Sequence, residues 1–258
     1  MVGATKISWW LSAAPSHCDA AAQFDLRRED RFDAPMIGLV RLGFWQSPNA
    51  GILTACLLAV ATARAADDEK KWEVASRKTD LTVYERLRKG GDIKEFKAIG
   101  TIAAPPIAVR QVLDDVEEYP RFMPYVIEAK VLSQERGSRV TYQRLSPPIV
   151  GDRDYTIRVK FETQRGAEGM CYGSRWQAAN DLGPAEKKGV ARVKITEGSW
   201  LLEPIDNGRR TRATYALFSD SGGKLPAMIA NTASRTAIPK LFESVRKQVR
   251  LEKYQRPR

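Results

Sequence analysis

Apolar and polar positions alternate along most of the second half of the chain. Tyr155, Ile157, Val159 and Phe161 interleave with Thr156, Arg158, Lys160 and Glu162, a period of two that predicts a β-strand with one apolar and one charged face. Ile127, Ala129 and Val131 alternate in the same way with Glu128 and Lys130, and Val140 and Tyr142 lead to Arg144. Further strands are expected over 169–178, 189–204 and 210–219, separated by Gly, Asn and Asp turns. Strands that are apolar on one side only belong to an antiparallel sheet wetted on the other. Two more precede them. Leu81, Val83 and Leu87 fall at even spacing, and a strand over 93–102 follows the hairpin signal Lys89-Gly90-Gly91-Asp92.

Helical spacing occurs in two places. Val109, Val112, Leu113 and Val116 stand at i, i+3, i+4 and i+7 behind Pro105-Pro106, which predicts a helix that opens on proline and stops before Pro120. Leu241, Phe242, Val245 and Val249 mark one face of a long C-terminal helix within 224–254, kinked or bounded at Pro239. The order is two strands, helices, a long antiparallel meander and a final helix. That is α+β, with a sheet that must curve around the last helix to cover its apolar face.

The first 65 residues read differently. Gly51 to Ala61 is the most apolar run, about half of the roughly 20 residues needed to span a bilayer. It follows Arg41 and ends in Ala63-Arg64-Ala65, ahead of the polar run Ala66-Asp67-Asp68-Glu69-Lys70-Lys71. A basic start, a short apolar stretch and a small-x-small site together make a secretory signal. Met36 is then the natural start. Residues 1–35 are expected to be an untranslated or disordered extension, 36–65 the leader, and 66–258 a single exported, periplasmic domain.

Composition removes whole classes of chemistry. The chain has one histidine, His17, in the extension, so the expected domain has no imidazole. That excludes Ser-His-Asp and Cys-His catalysis, His-ligated zinc and His general-base chemistry. Three cysteines cannot build a disulfide framework, and no pair has zinc-finger spacing. Cys171, beside Met170 in a predicted strand, reads as a small buried apolar residue. No metal or cofactor is expected. Forty-two Lys and Arg against 31 Asp and Glu give a net charge of +11. For an exported protein the available counter-charge is an anionic membrane surface, and nucleic acid is not an expected partner.

Three stretches carry a family resemblance. They are Glu118-Tyr119-Pro120-Arg121-Phe122-Met123-Pro124-Tyr125, the segment from Tyr142 through Ser146-Pro147-Pro148 to Asp152-Arg153-Asp154-Tyr155, and Ser219-Asp220-Ser221-Gly222-Gly223-Lys224-Leu225-Pro226 followed by Ile229-Ala230-Asn231. In this order, over roughly 72–252, the sequence resembles START-type lipid-binding domains of the helix-grip superfamily, which also contains polyketide cyclases and coenzyme-Q-binding proteins. The resemblance implies a curved antiparallel sheet gripping the C-terminal helix around an apolar tunnel that holds a lipid-like ligand. It supplies no catalytic motif to carry over.

Candidate cavity residues follow from the alternation and from the aromatics of the meander: Tyr142, Arg153, Tyr155, Ile157, Val159, Phe161, Trp176, Trp200, Tyr215 and Phe218. Met228, Leu241 and Val245 join them from the last helix. Arg153 is in phase with Tyr155 and Ile157, so it is preferred over Arg144 as an inward cation that anchors a phosphate or carbonyl. Packed core and surface ion pairing are the competing readings of the same residues. The expected function is binding, and transfer, of an apolar lipid-like molecule without catalysis. The alternatives are a cyclase or hydratase acting on a polyketide- or quinone-like substrate, and a module that binds a protein segment.

Overall fold

The computed structural model describes residues 71–88, 91–148, 150–220 and 225–255. The expected extension and leader lie outside them. The chain opens with β1 (Glu73–Lys78), β2 (Leu81–Leu87) and β3 (Lys94–Ile102). In β2, Leu81, Val83 and Glu85 point to the buried side while their neighbours do not, the alternation that the pleat imposes. β1 has no buried residue, and for that reason it left no periodic trace in the sequence.

Helix α1 (Pro106–Asp114) starts on Pro106, its fixed φ suited to a first helical position. It buries Ala108, Val109 and Val112 and ends one turn earlier than its spacing predicts. Asp115 leaves the helical region (φ −85°, ψ 63°), and Val116 begins a short 3-10 turn instead. Val116 is buried all the same. Then come α2 (Tyr119–Phe122), β4 (Val126–Glu135), β5 (Ser138–Leu145), β6 (Arg153–Gly166) and β7 (Gly169–Ala178). The expected strand over 189–204 resolves into the short β8 (Ala191–Arg192) and β9 (Ile195–Ile205), followed by β10 (Arg210–Asp220).

All of the strands join one sheet, in the order β1-β2-β3-β10-β9-β7-β6-β5-β4, with β8 parallel to β6 off this path. Every other pairing is antiparallel. The long helix α3 (Ala227–Gln248) lies in its concavity, and α4 (Glu252–Gln255) follows. α3 runs through Pro239 as one element. Packing holds both sides of that proline, with Arg235 bonded to Glu85 and Ile238 and Phe242 fully buried.

The core concentrates around the C-terminal half of α3. Ile238, Phe242, Val245 and Val249 pack with Val109 and Val112 of α1 and with Leu81, Val83, Phe96, Ala98 and Ile102 of the first hairpins. Gly100 makes this approach feasible. A Cβ there would stand 2.8 Å from the Phe242 ring, closer than any packed carbon pair allows.

Candidate functional site

Between the sheet and α3 lies a cavity of about 310 Å³, the size class of small-molecule sites. Alternate residues of β6 form its longest wall: Arg153, Tyr155, Ile157, Val159 and Phe161 all line it. Eight residue steps of strand make that wall roughly 26 Å long, so the cavity is elongated. The register sets the wall beside it. Leu145, Gln143, Thr141 and Arg139 of β5 stand opposite Arg153, Tyr155, Ile157 and Val159 and share their face. The far side is aromatic. Trp200 and Tyr215 pack in a tilted contact, 4.7 Å between ring centres, and Trp176 lies 5.8 Å from Tyr215. Gly198 makes room for Trp176, because a Cβ at that position would overlap the indole.

The remaining side is α3, and it contributes small residues. Ala233, Ser234 and Ala237 line the cavity with Ile238 and Leu241. Residues around the 146–152 connection (Pro147 and Val150) and the turn at Pro124-Tyr125 complete the lining. Tyr125 holds a left-handed conformation (φ 66°) that costs a non-glycine residue energy. Its carbonyl accepts from the Ser146 backbone N–H at 2.8 Å, and Lys240 of α3 donates to its hydroxyl at 2.8 Å. The turn is thereby tied to both neighbouring walls.

Nine of the residues proposed from sequence lie on this cavity: Arg153, Tyr155, Ile157, Val159, Phe161, Trp176, Trp200, Tyr215 and Leu241. Four do not. Tyr142 faces the opposite side of β5, where its hydroxyl donates to Asp154 at 3.2 Å. Arg192 also grips Asp154, with Nε 2.7 Å from Oδ1, in a cluster under the 180–193 segment. Phe218 is three residues from Tyr215, so a strand cannot put both on one face; it lies beneath the Arg88 guanidinium at 4.3 Å. Val245 is fully buried in solid core, and Met228 is 76% exposed at the start of α3.

Arg153 points inward and is 8% exposed. Its Nη1 donates to the Val150 and Gly151 carbonyls, and burial draws its pKa down. Arg144, as its phase requires, turns outward and pairs with Asp152 at 2.5 Å. The lining also includes polar residues that the aromatic count passed over. Asp114 at the end of α1 accepts from Arg110 Nε at 3.2 Å, and Arg139 Nη1 donates to its backbone carbonyl at 2.7 Å. Burial raises the Asp114 pKa against the pull of Arg139 and Arg110. The Tyr155 hydroxyl donates to Gln143 Oε1 at 3.1 Å, and burial pushes the Tyr155 and Tyr215 hydroxyls above their ordinary range. On β5 the rule that found Arg153 points the wrong way: Arg139, Thr141 and Gln143 share one phase, but the apolar Val140 and Tyr142 occupy the other, so only the pairing with β6 shows that they face the cavity.

A family model for polyketide cyclase / dehydrase and lipid transport matches residues 102–246, from the last residue of β3 to near the end of α3. The chain belongs to this family. A protein of Pseudomonas aeruginosa without an assigned role is 29% identical over 182 residues, 70% of this chain and 86% of its own length. The phosphatidylcholine transfer protein of Rattus norvegicus is 24% identical over 177 residues, 67% of this chain and 81% of its own. Among solved structures, a STAR-related lipid transfer protein fragment from Xanthomonas axonopodis superposes with a TM-score of 0.63 at 25% identity, covering 70% of this chain and 99% of that one. The helix-grip architecture is therefore that of START-type domains, with the cavity between the sheet and the C-terminal helix.

Proposed function

We propose that this protein is a carrier that binds one apolar lipid in the cavity between β6 and α3 and releases it unaltered. The observation that carries this reading is the elongated hollow itself, walled by Trp176, Trp200, Tyr215, Ile157, Val159 and Leu241. Burial of apolar surface drives such binding. A ligand hiding about 500 Å² gains roughly 12 kcal/mol before the entropy of association is subtracted, which offsets much of the cost of leaving a bilayer. The names of the rat and Xanthomonas relatives support lipid transfer as the use of this hollow. The test is organic extraction of the protein purified from its host, followed by mass spectrometry. A stoichiometric lipid is expected, and repeated recovery of an empty protein that takes up no lipid from vesicles would sink the reading.

Export by the leader and docking on an anionic membrane belong to the same proposal. Met228 at the start of α3 and Ile195 next to the cavity residue Thr196 are 76% and 49% exposed and offer apolar contacts beside the basic α3. N-terminal sequencing of the mature protein should begin at Ala66. Vesicle binding should fall with added salt and with loss of anionic lipid, and indifference to both removes docking.

One observation favours a second reading. Asp114 is a cavity carboxyl whose pKa burial raises, a group suited to acid–base work on a bound carbonyl substrate. Two arginines already engage it, which favours a structural role. Conversion of the bound molecule on incubation, abolished by Asp114→Asn, would replace the carrier with an enzyme.

A further inference from the structure

The lining of β5 is polar where a purely hydrocarbon guest would have no use for it. Thr141 is 1% exposed, lines the cavity, and its hydroxyl has no hydrogen-bond partner. Its cross-strand neighbours are Ile157 on β6 and Val131 on β4, neither of which carries a polar side-chain atom. Two residues on, Gln143 is 8% exposed and spends its Oε1 on the Tyr155 hydroxyl. Opposite it on β4 stands Ala129, which offers its amide Nε2 no side-chain acceptor. Arg139 on the same stripe is occupied, donating to Gln134 Oε1 at 2.5 Å and to the Asp114 carbonyl at 2.7 Å. A buried donor left without an acceptor is costly, and cavities of this kind recover the loss when a guest supplies the missing atom.

We propose that Thr141 and Gln143 read carbonyl oxygens, so that the preferred guest is an ester-linked acyl lipid and not an alkane, an alkyl ether or a free hydrocarbon chain. The two donors share one face of β5 about 7 Å apart, a separation that the two ester carbonyls of a diacylglycerol unit, a few bonds from each other, can span. The chain segments next to the esters then lie along β6 and the aromatic wall. This inference rests on the carrier reading above and assigns the chemistry that its cavity selects.

The experiment compares four vesicle preparations: dioleoylphosphatidylcholine, dioleoylphosphatidylglycerol, and the dioleyl ether counterpart of each. Protein is incubated with each, re-isolated, and its lipid quantified by mass spectrometry. Because an unmet buried donor weakens binding by roughly 5- to 100-fold, ester lipid should be taken up at least several-fold better than its ether with one headgroup or both. Thr141→Val should lower ester uptake towards the ether level, erasing most of that preference, and Thr141→Ser should keep it. The empty Thr141→Val protein should also melt about 2–4 °C higher, since it no longer buries an unsatisfied hydroxyl. Equal uptake of ester and ether, or a Thr141→Val protein that melts lower than the parent, overturns the inference and leaves the carrier intact. Failure to take up any of the four lipids overturns this inference, and if the protein purified from its host is also empty, the carrier reading falls with it.

Discussion

The two halves of α3 face the same concave sheet with opposite results. Its C-terminal half presents Phe242 and Val245, followed by Val249 just past its end, each at most 2% exposed, and fills the space against β2, β3 and α1. Its N-terminal half presents Ala233, Ser234 and Ala237 to the cavity. The same backbone element thus makes core at one end and leaves a hollow at the other, and side-chain volume decides which. Phe242 marks the boundary. Its ring touches Trp200, 5.3 Å between centres, and Trp200 itself lines the cavity.

That contrast can be broken from either side. The largest effect is expected at the filled end: Phe242→Ala should cost about 3–5 kcal/mol in denaturant unfolding, the range for deleting a fully buried aromatic ring. A loss below about 1 kcal/mol would show that this end is not packed as described. At the hollow end, Ala237→Phe should change stability little, because the ring enters space already present, and should lower lipid uptake at least tenfold. If it destabilised like an overpacked core substitution, by about 1–3 kcal/mol, with uptake unchanged, the cavity could not lie beneath Ala237.

The smallest effect concerns how the hollow end is held. Glu85, 5% exposed, accepts from Arg235 at 2.7 Å and from Lys94 at 2.6 Å, and Asn231 Oδ1 accepts from the Lys94 backbone N–H at 2.9 Å. Few large apolar residues anchor this half, so polar bonds do. Burial alone would raise the Glu85 pKa, but the hydrogen bonds from Lys94 and Arg235 outweigh it and the net shift is downward. A carboxyl with a folded pKa below its unfolded one stabilises above the ordinary glutamate range and loses that contribution as pH falls through the folded value. Hydrogen-exchange protection over 227–237, with the intrinsic pH dependence of amide exchange divided out, should therefore fall on acidification in the parent. Glu85→Gln should lose protection already at neutral pH, by a free energy of about 1 kcal/mol given that Arg235 is partly solvated, and its protection should lack the acid-dependent component. Identical exchange in both proteins would mean that the clamp holds nothing.

Local pattern and long-range register differ in what they disclose. Alternation placed Arg153 and its four partners on β6 in one phase, and helical spacing identified Phe242, Val245 and Val249 as one apolar face. The same alternation contradicted two of the residues chosen for aromatic content. Tyr142 is out of phase with the residues it was grouped with once β5 pairs Gln143 with Tyr155, and Phe218 is out of phase with Tyr215 within one strand. β1 stayed hidden because nothing in it is buried.

The sequence by itself determined most of the elements, the α+β order, the inward phase of β6 and, through three stretches of resemblance, the family. Each of these is written in short-range periodicity or in local motifs, where the chemistry of neighbours suffices. Whether an inward residue meets core or cavity was decided only by the tertiary structure. Val245 and Leu241 share one helical face, yet one is sealed in packing and the other borders open space. The difference lies in the volumes arriving from α1, β3 and β6, segments far away in the chain, and no single stretch of sequence contains that sum.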